Sequence, residues 1–147
     1  MRKLRLLLFP FAGIYYGVTL LRNALYDHKI LESKEYSTPV ICVGNLSVGG
    51  TGKSPMTEYI IRLFKENYRV ATLSRGYGRS TKGFREVYSE STAMQVGDEP
   101  LQFAIKFPDI SVVVCEDRQE GIEQLLEKRN KPEVIILDDA YQHRKVA

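Results

Sequence analysis

The chain has 147 residues, of which 44% are hydrophobic and 27% are charged, and its formal net charge is +3. This length is enough for one domain with a sizeable core, and so small a net charge does not by itself indicate a nucleic-acid-binding protein. Both cysteines, Cys42 and Cys115, fall in apolar runs typical of strands. We therefore expect reduced core residues, without a disulfide framework or a cysteine metal site.

The first thirty residues differ from the rest because they are mostly apolar and aromatic from Leu4 to Leu21, with basic residues on both flanks. No small-residue cleavage site follows, and the run is shorter than the roughly 20 apolar residues that span a bilayer. Basic flanks and aromatic side chains favour a helix in the headgroup region of an anionic leaflet. A helix packed on the protein's own core and a true span are the alternatives. We predict a membrane-associated helix over residues 1–31 and one domain over residues 32–147.

A glycine-rich segment follows the first predicted strand, residues 39–44. A strand, a glycine-rich loop and a Lys-Ser pair that opens a helix are typical of a P-loop, whose backbone N–H groups and helix N-terminus bind phosphate. Lys53 would reach the β- and γ-phosphates and the Ser54 hydroxyl would bind Mg²⁺. A glycine-rich turn without a ligand is the alternative. The predicted nucleotide-binding residues are Ser47, Val48, Gly49, Gly50, Thr51, Gly52, Lys53 and Ser54.

Strands and helices alternate through the remainder of the chain. The predicted elements are a helix at 54–66, a strand at 69–73, a basic glycine-rich loop at 74–79, a hairpin-like piece at 84–88, a helix from about 100 to 107, a strand at 110–115, a helix at 118–129 and a strand at 134–137. This order predicts an α/β fold of the P-loop NTPase type: a parallel sheet with helices on both faces. A ligand then lies beyond the carboxyl ends of the strands.

Two pairs of acidic residues fall at that edge. Asp138 and Asp139 end the last apolar strand, where a P-loop enzyme completes its Mg²⁺ shell with oxygen ligands. Asp98 and Glu99 stand before Pro100 at a helix start, where they would either cap the helix or act as a base or metal-organising acid beside the γ-phosphate. We predict Mg²⁺ at Ser54, Asp138, Asp139 and Glu99.

Basic residues at two strand ends are further candidates. Arg75 and Arg79 lie on the glycine-rich loop and would hold substrate anions or the transferring group, although each alone is also a common surface residue. Arg118 and Glu120 lie at a later strand–helix junction and would also face the site.

Four of these segments, in the same order, resemble the tetraacyldisaccharide 4'-kinases of Gram-negative bacteria. The matching segments are Gly44 to Pro55, Leu73 to Arg79, Val96 to Leu101 and Leu137 to Arg144. The N-terminal apolar helix is similar too, and in this family it associates with the inner membrane. The chain looks like the N-terminal part of such an enzyme.

The resemblance implies ATP and Mg²⁺ as cofactors and transfer of the γ-phosphate to the 4'-hydroxyl of a lipid A disaccharide 1-phosphate precursor, at the cytoplasmic face of the inner membrane. Asp98 matches the family's proposed catalytic base, and Lys53 would stabilise the transferring phosphoryl group. A hydroxyl residue at the Ser47 position is normal in the family. No nucleic acid and no obligate protein partner are implied.

The chain departs from the family in length, since family members are roughly twice as long and their second half supplies part of the nucleotide site. We therefore expect this polypeptide alone to bind nucleotide weakly and to have little or no kinase activity. Two other hypotheses stay open. One is an ATPase switch of the partitioning or cell-division type, although Val48 replaces the lysine typical of that group. The other is a non-catalytic nucleotide-binding or membrane-adaptor domain.

Overall fold

The computed structural model of the protein describes residues 9–28, 30–31, 33–44, 52–139 and 146. The predicted phosphate-loop residues 47–51 therefore lie outside the described residues. The chain divides into two compact units, Met1–Ser33 and Lys34–Ala147.

The first unit contains helix α1, Phe9–Asp27. Pro10 lies in its first turn, where a missing N–H breaks no helical hydrogen bond. Several large apolar side chains of α1 are exposed: Tyr15, Tyr16, Val18, Leu20 and Leu21. In the part of the chain that the structure describes, no helix combines the length and the apolarity needed to cross a membrane.

The second unit is built on a five-stranded sheet with the order β1-β5-β2-β4-β3. The strands are β1 (Val40–Val43), β2 (Val70–Ser74), β3 (Arg85–Glu86), β4 (Ser111–Val114) and β5 (Val134–Asp138). The strands β1, β5, β2 and β4 are parallel, as predicted. The edge strand β3 is antiparallel to β4, which corrects the prediction of a wholly parallel sheet. No helix intervenes between β2 and β3, and a chain that turns back without a crossover returns antiparallel.

The helices of this unit are α2 (Lys53–Phe64), α3 (Ala93–Val96), α4 (Asp98–Lys106) and α5 (Arg118–Glu127). The single-turn helix α3 was not predicted from the sequence. It starts with a capping box in which the side chains of Thr92 and Gln95 satisfy each other's backbone N–H groups.

Helices cover both faces of the sheet, as predicted. Alternate residues of a strand point to opposite faces, so Val70 and Ala71 belong to different core clusters. On one face Ile61 of α2 and Phe103 of α4 are buried with Val70. On the other face Ile122 of α5 is buried with Ala71. The sheet is therefore a rigid platform whose carboxyl edge is fixed by packing on both sides.

The two cysteines have different environments. Cys115 is buried, as predicted, and this burial raises the pKa of its thiol. Cys42 is exposed, so the prediction that it is a core residue is wrong. Cys42 lies on the edge strand β1. The helix on the same face of the sheet is α5, which packs on β2, two strands away, and therefore leaves Cys42 uncovered.

Candidate functional site at the carboxyl edge of the sheet

The carboxyl ends of β1 and β5 meet at the start of α2. Val43 of β1 pairs with Asp138 of β5, and α2 begins at Lys53 after Gly52, whose φ of 79° is in the left-handed region that glycine favours. Lys53 Nζ lies 2.5 Å from Asp139 Oδ1. This hydrogen bond is the largest of the causes that raise the pKa of Lys53. The lysine and the strand-end aspartates that the sequence analysis singled out are therefore together.

Asp138 is a buried carboxylate, only 1% exposed. The hydroxyl of Thr57, one turn into α2 and itself buried, donates to Asp138 Oδ1 at 3.1 Å. Burial, and next the negative charge of Glu99, raise the pKa of Asp138 to about 7. A carboxylate held in this way is stabilised by any cation that reaches it.

Asp98 and Glu99 occupy the first turn of α4, beside the start of α2. The Ser54 hydroxyl donates to the Glu99 carboxylate, which connects the two helix starts. The N-cap of α4 is Gly97, and no side-chain hydrogen bond caps this helix start. The capping role proposed for Asp98 and Glu99 is therefore not observed. Asp98 is exposed and lines the cavity described next.

A cavity of about 170 Å³ opens between these elements. Its walls combine strand ends, the loop after β2 and the first turn of α4: Ser74, Arg75, Gly76, Tyr77, Asp98, Glu99, Pro100, Asp138 and Asp139. Arg75 is exposed and the side chain of Tyr77 is 93% exposed, so both are accessible to a bound molecule.

The structure does not bring Arg79 to the cavity, although the sequence analysis grouped it with Arg75. The Arg79 side chain is 2% exposed and pairs with Glu116, with Nη2 2.7 Å from Oε2. Its guanidinium is covered by its own loop and is not presented to a substrate anion.

Arg118 also has a buried guanidinium, since this residue is only 3% exposed. Its Nη1 donates to the Cys115 carbonyl at 2.7 Å, and Nη2 lies 3.5 Å from the Asp138 carbonyl. Burial, and next the charge of Arg75, lower its pKa. Glu120 instead accepts a hydrogen bond from Gln124 along α5.

Thr57 is the site residue that the sequence analysis missed. The signal was present, because position 57 lies one helical turn after the Lys53-Ser54 pair and on the same side of the helix as Ile61, which is buried against the sheet. A small hydroxyl at such a position is suited to hold a strand-end carboxylate.

The predicted metal ligands are oxygen donors at one edge, but they do not form a cage. Within the described residues no group of three or more His, Cys, Asp or Glu side chains is arranged to hold a metal ion. The side chain of Asp139 is 66% exposed and pairs with Lys53. A site for Mg²⁺ needs no such cage, since this ion keeps several waters and takes one or two carboxylates together with substrate phosphates.

The fold and the site define a mixed α/β protein with a lysine, a helix N-terminus and a group of carboxylates at the carboxyl edge of its sheet. The family model for tetraacyldisaccharide-1-P 4'-kinase matches residues 4–147. The chain therefore belongs to this family, and the resemblance found in the sequence is confirmed.

Individual relatives agree with the family match. The chain is 57% identical over 146 residues to the tetraacyldisaccharide 4'-kinase of Flavobacterium johnsoniae, covering 99% of this chain and 43% of that protein. It is 54% identical to the protein of the same name from Parabacteroides distasonis, covering 99% of this chain and 40% of that protein. It thus spans less than half the length of these curated relatives.

A solved structure has the same fold. The crystal structure of the apo form of LpxK from Aquifex aeolicus in complex with ATP is 44% identical in sequence and superimposes with a TM-score of 0.87. The match covers 98% of this chain and 46% of that one.

Proposed function

We propose that this chain is the nucleotide-binding part of a tetraacyldisaccharide 4'-kinase, which transfers the γ-phosphate of ATP to the 4'-hydroxyl of a tetraacyldisaccharide 1-phosphate in lipid A biosynthesis. The observation that carries the proposal is that Lys53, at the start of α2, pairs with Asp139 after β5, while Ser54 contacts Glu99. The family match and the ATP complex of the relative from Aquifex aeolicus support the same assignment.

ATP fits the residues at this edge. At the described end of the predicted phosphate loop, Gly52 has a left-handed conformation and precedes the N-terminus of α2. A helix N-terminus of this kind favours a bound anion. Lys53, which is paired with Asp139 in this structure, would bind the β- and γ-phosphates in its place. Its charge then offsets the negative charge on the phosphoryl group during transfer.

Mg²⁺ fits the donor set, because every predicted ligand is a hard oxygen and Asp138 is a buried carboxyl group whose pKa is raised by burial. Ser54 and Asp138 would hold the ion, with Asp139 and Glu99 acting directly or through water. The ion would neutralise phosphate charge. Thr57 fixes the orientation of the Asp138 carboxylate in advance.

The position of Asp98 supports a role as the general base. It is exposed on the cavity wall at the start of α4, next to Glu99, which the Ser54 hydroxyl contacts. From this position its carboxylate orients the attacking hydroxyl and accepts its proton. Arg75, which also lines the cavity, would hold an anionic group of the substrate.

Helix α1 would bring the enzyme to its lipid substrate at the cytoplasmic face of the inner membrane. The support is its exposed apolar and aromatic side chains, from Tyr15 to Leu21, together with the basic residues that flank this stretch of sequence. A substrate with four acyl chains stays in the bilayer, so a kinase held at the surface meets it there.

Transfer of label from γ-labelled ATP to the disaccharide 1-phosphate in detergent micelles tests the kinase assignment. We would assay this chain and an extended chain, in which it is followed by the part of the Flavobacterium johnsoniae relative beyond the matched region. We expect transfer by the extended chain and little or none by the 147 residues alone. Asp98→Asn should lower transfer about 10²- to 10⁴-fold while ATP binding is retained.

The matched control is Glu120→Gln, another acid in the first turn of a helix at the next strand end. It should leave transfer within about twofold of the parent, since Glu120 is bonded along its own helix. If the extended chain binds Mg²⁺ and ATP but transfers nothing, the kinase assignment is wrong and the non-catalytic alternative replaces it.

Co-sedimentation of this chain with vesicles tests the membrane proposal. The chain should bind vesicles that contain anionic lipid, and the double variant Val18→Glu, Leu21→Glu should bind them much more weakly. Equal binding by parent and variant would exclude α1 as the contact surface.

A further inference from the structure

The loop between β2 and β3 is held by an ion pair in which the Arg79 side chain is buried and that of Glu116 is 39% exposed. Arg79 Nη2 contacts Glu116 Oε2 at 2.7 Å and also donates to the Gly83 carbonyl at 2.8 Å. The same Glu116 oxygen accepts the Gly83 N–H at 2.9 Å. Glu116 follows the end of β4, so the ion pair anchors the loop to the rigid sheet.

This loop is in turn hydrogen-bonded to α3. The backbone N–H and the hydroxyl of Ser80 donate to the Met94 carbonyl at 2.7 and 2.9 Å. The Thr81 hydroxyl, which Arg79 Nη1 approaches at 3.4 Å, donates to the Gln95 carbonyl at 2.5 Å. Neighbouring residues of the loop thus hold the carboxyl end of α3, and the Arg79 guanidinium holds those residues.

Two glycines bring the same loop against the residue that precedes Asp98. Gly76 and Gly97 both have positive φ, 70° and 94°. A Cβ on Gly97 would lie 3.1 Å from the Tyr77 carbonyl oxygen, and one on Gly76 would lie 2.7 Å from the Val96 carbonyl oxygen and 2.6 Å from Arg79 Cδ. The two backbone segments pack directly on each other because neither glycine has a side chain.

We propose that the Arg79–Glu116 ion pair is a clamp that positions Asp98 by fixing the 76–83 loop against α3 and Gly97. Arg79 is then a positioning residue for phosphoryl transfer and contacts neither ATP nor the lipid. This proposal rests on the proposed function, in which Asp98 is the base. It gives Arg79 a role that differs from the substrate contact expected from the sequence.

The clamp also accounts for the walls of the cavity. Among the residues that line the cavity, Arg75 and Tyr77 belong to the loop after β2, and Asp98 and Glu99 belong to the start of α4, which follows Gly97. The clamp holds these two segments together. Release of the ion pair therefore changes the distance between the substrate-facing loop and the base. Lys53 and Asp138 are held by other contacts, so the nucleotide side of the site stays in place.

Steady-state kinetics of the extended chain test whether the clamp affects the base and leaves the nucleotide side of the site unchanged. We expect Arg79→Gln and Glu116→Gln each to lower kcat about tenfold or more, because small displacements of a base are costly, while KM for ATP stays within about twofold. The double variant should be no worse than the single ones, and Arg79→Lys should recover part of kcat. The matched control is Arg69→Gln, which removes an exposed ion pair with Glu133 at the opposite end of β2 and should leave kcat unchanged.

Hydrogen exchange of the 147-residue chain provides a readout that does not depend on activity. In Arg79→Gln the amides of Ser80, Gly83 and Gly97 should exchange faster, while those of β5 keep their protection. An effect confined to KM for the lipid would show that Arg79 binds substrate and would overturn the proposal. So would unchanged kcat, or unchanged exchange at Gly97. If the parent extended chain transfers no phosphate, the proposed function fails, and exchange at Gly97 alone decides whether the clamp exists.

Discussion

Charged residues have opposite environments at the two ends of the sheet. At the amino end, Arg69 and Glu133 are both largely exposed, and their ion pair at 3.3 Å is supplemented by a bond from Arg69 Nε to the Lys131 carbonyl. At the carboxyl end, Asp138 is buried beside the Thr57 hydroxyl and the Glu99 carboxyl group, and burial raises its pKa to about 7.

This difference distinguishes exposed charged residues, which keep the protein soluble, from buried charged residues, which indicate a functional site. An exposed pair in water contributes little to stability and is easily replaced. Burial of a carboxylate costs free energy, and a strongly shifted pKa in a cleft indicates a functional site. The carboxyl end is therefore identified as the site on physical grounds, independently of the family match.

The largest effect is expected from Lys53→Ala at the carboxyl end. This change removes the charge that faces the phosphates and should lower transfer by the extended chain at least about 100-fold. ATP binding, measured by calorimetry, should weaken in parallel. Lys65→Ala, which removes a lysine near the other end of α2, is the matched control and should leave both unchanged. Similar losses in the two variants would contradict a special role for Lys53.

Asp138→Asn should separate stability from activity. The folded-state pKa of Asp138 is raised, so the folded protein binds the proton more tightly than the unfolded chain, and stability falls as pH rises from about 4 to about 7. Without Mg²⁺, the variant should therefore be more stable than the parent by about 2 kcal/mol at pH 8 and equally stable near pH 4.

Denaturant unfolding of the 147-residue chain at several pH values measures this difference. In the extended chain, the same variant should lose transfer, because the carboxylate that would bind Mg²⁺ is gone. A variant that is less stable than the parent at pH 8 would mean that the buried carboxylate already has a compensating partner.

Thr57→Val tests the hydroxyl that orients Asp138. The two side chains have nearly the same shape, so the change removes one hydrogen bond and little packing. We expect the Mg²⁺ concentration that supports half-maximal transfer to rise about 10-fold, in the range found for residues that orient metal ligands. Thr72→Val, which changes a buried threonine inside β2, serves as the control. An unchanged Mg²⁺ requirement would show that Asp138 needs no orienting partner.

Glu133→Gln at the amino end should have the smallest effect. The loss of an exposed ion pair with Arg69 should change the free energy of unfolding by less than about 1 kcal/mol and leave transfer unaffected. A change in kcat here would break the distinction between the two ends of the sheet.

The sequence predicted the elements that have a strong local signal. The apolar runs that became β2, β4 and β5, and the acids that end β5, were readable because a parallel strand buried on both faces is apolar throughout. The Lys53-Ser54 pair was readable from its position after the glycines. All of these features depend on a few neighbouring residues.

The features that were missed depend on residues that are distant in sequence. Cys42 is exposed because β1 is at the edge of the sheet, and strand order is not encoded in an apolar run. Arg79 faces its own loop because Glu116, which lies 37 positions later in the chain, is its partner. The helix α3 has one turn and therefore no periodicity to detect.

The exposed position of Cys42 makes the molecule suitable for site-selective labelling. At neutral pH a thiol-reactive fluorophore should modify Cys42 and leave Cys115 untouched, because the latter is buried and its pKa is raised. Cys42 lies next to Val43, which pairs with Asp138. The chain contains no tryptophan, so a dye at this cysteine would report nucleotide binding without interference from tryptophan emission and without any engineered residue.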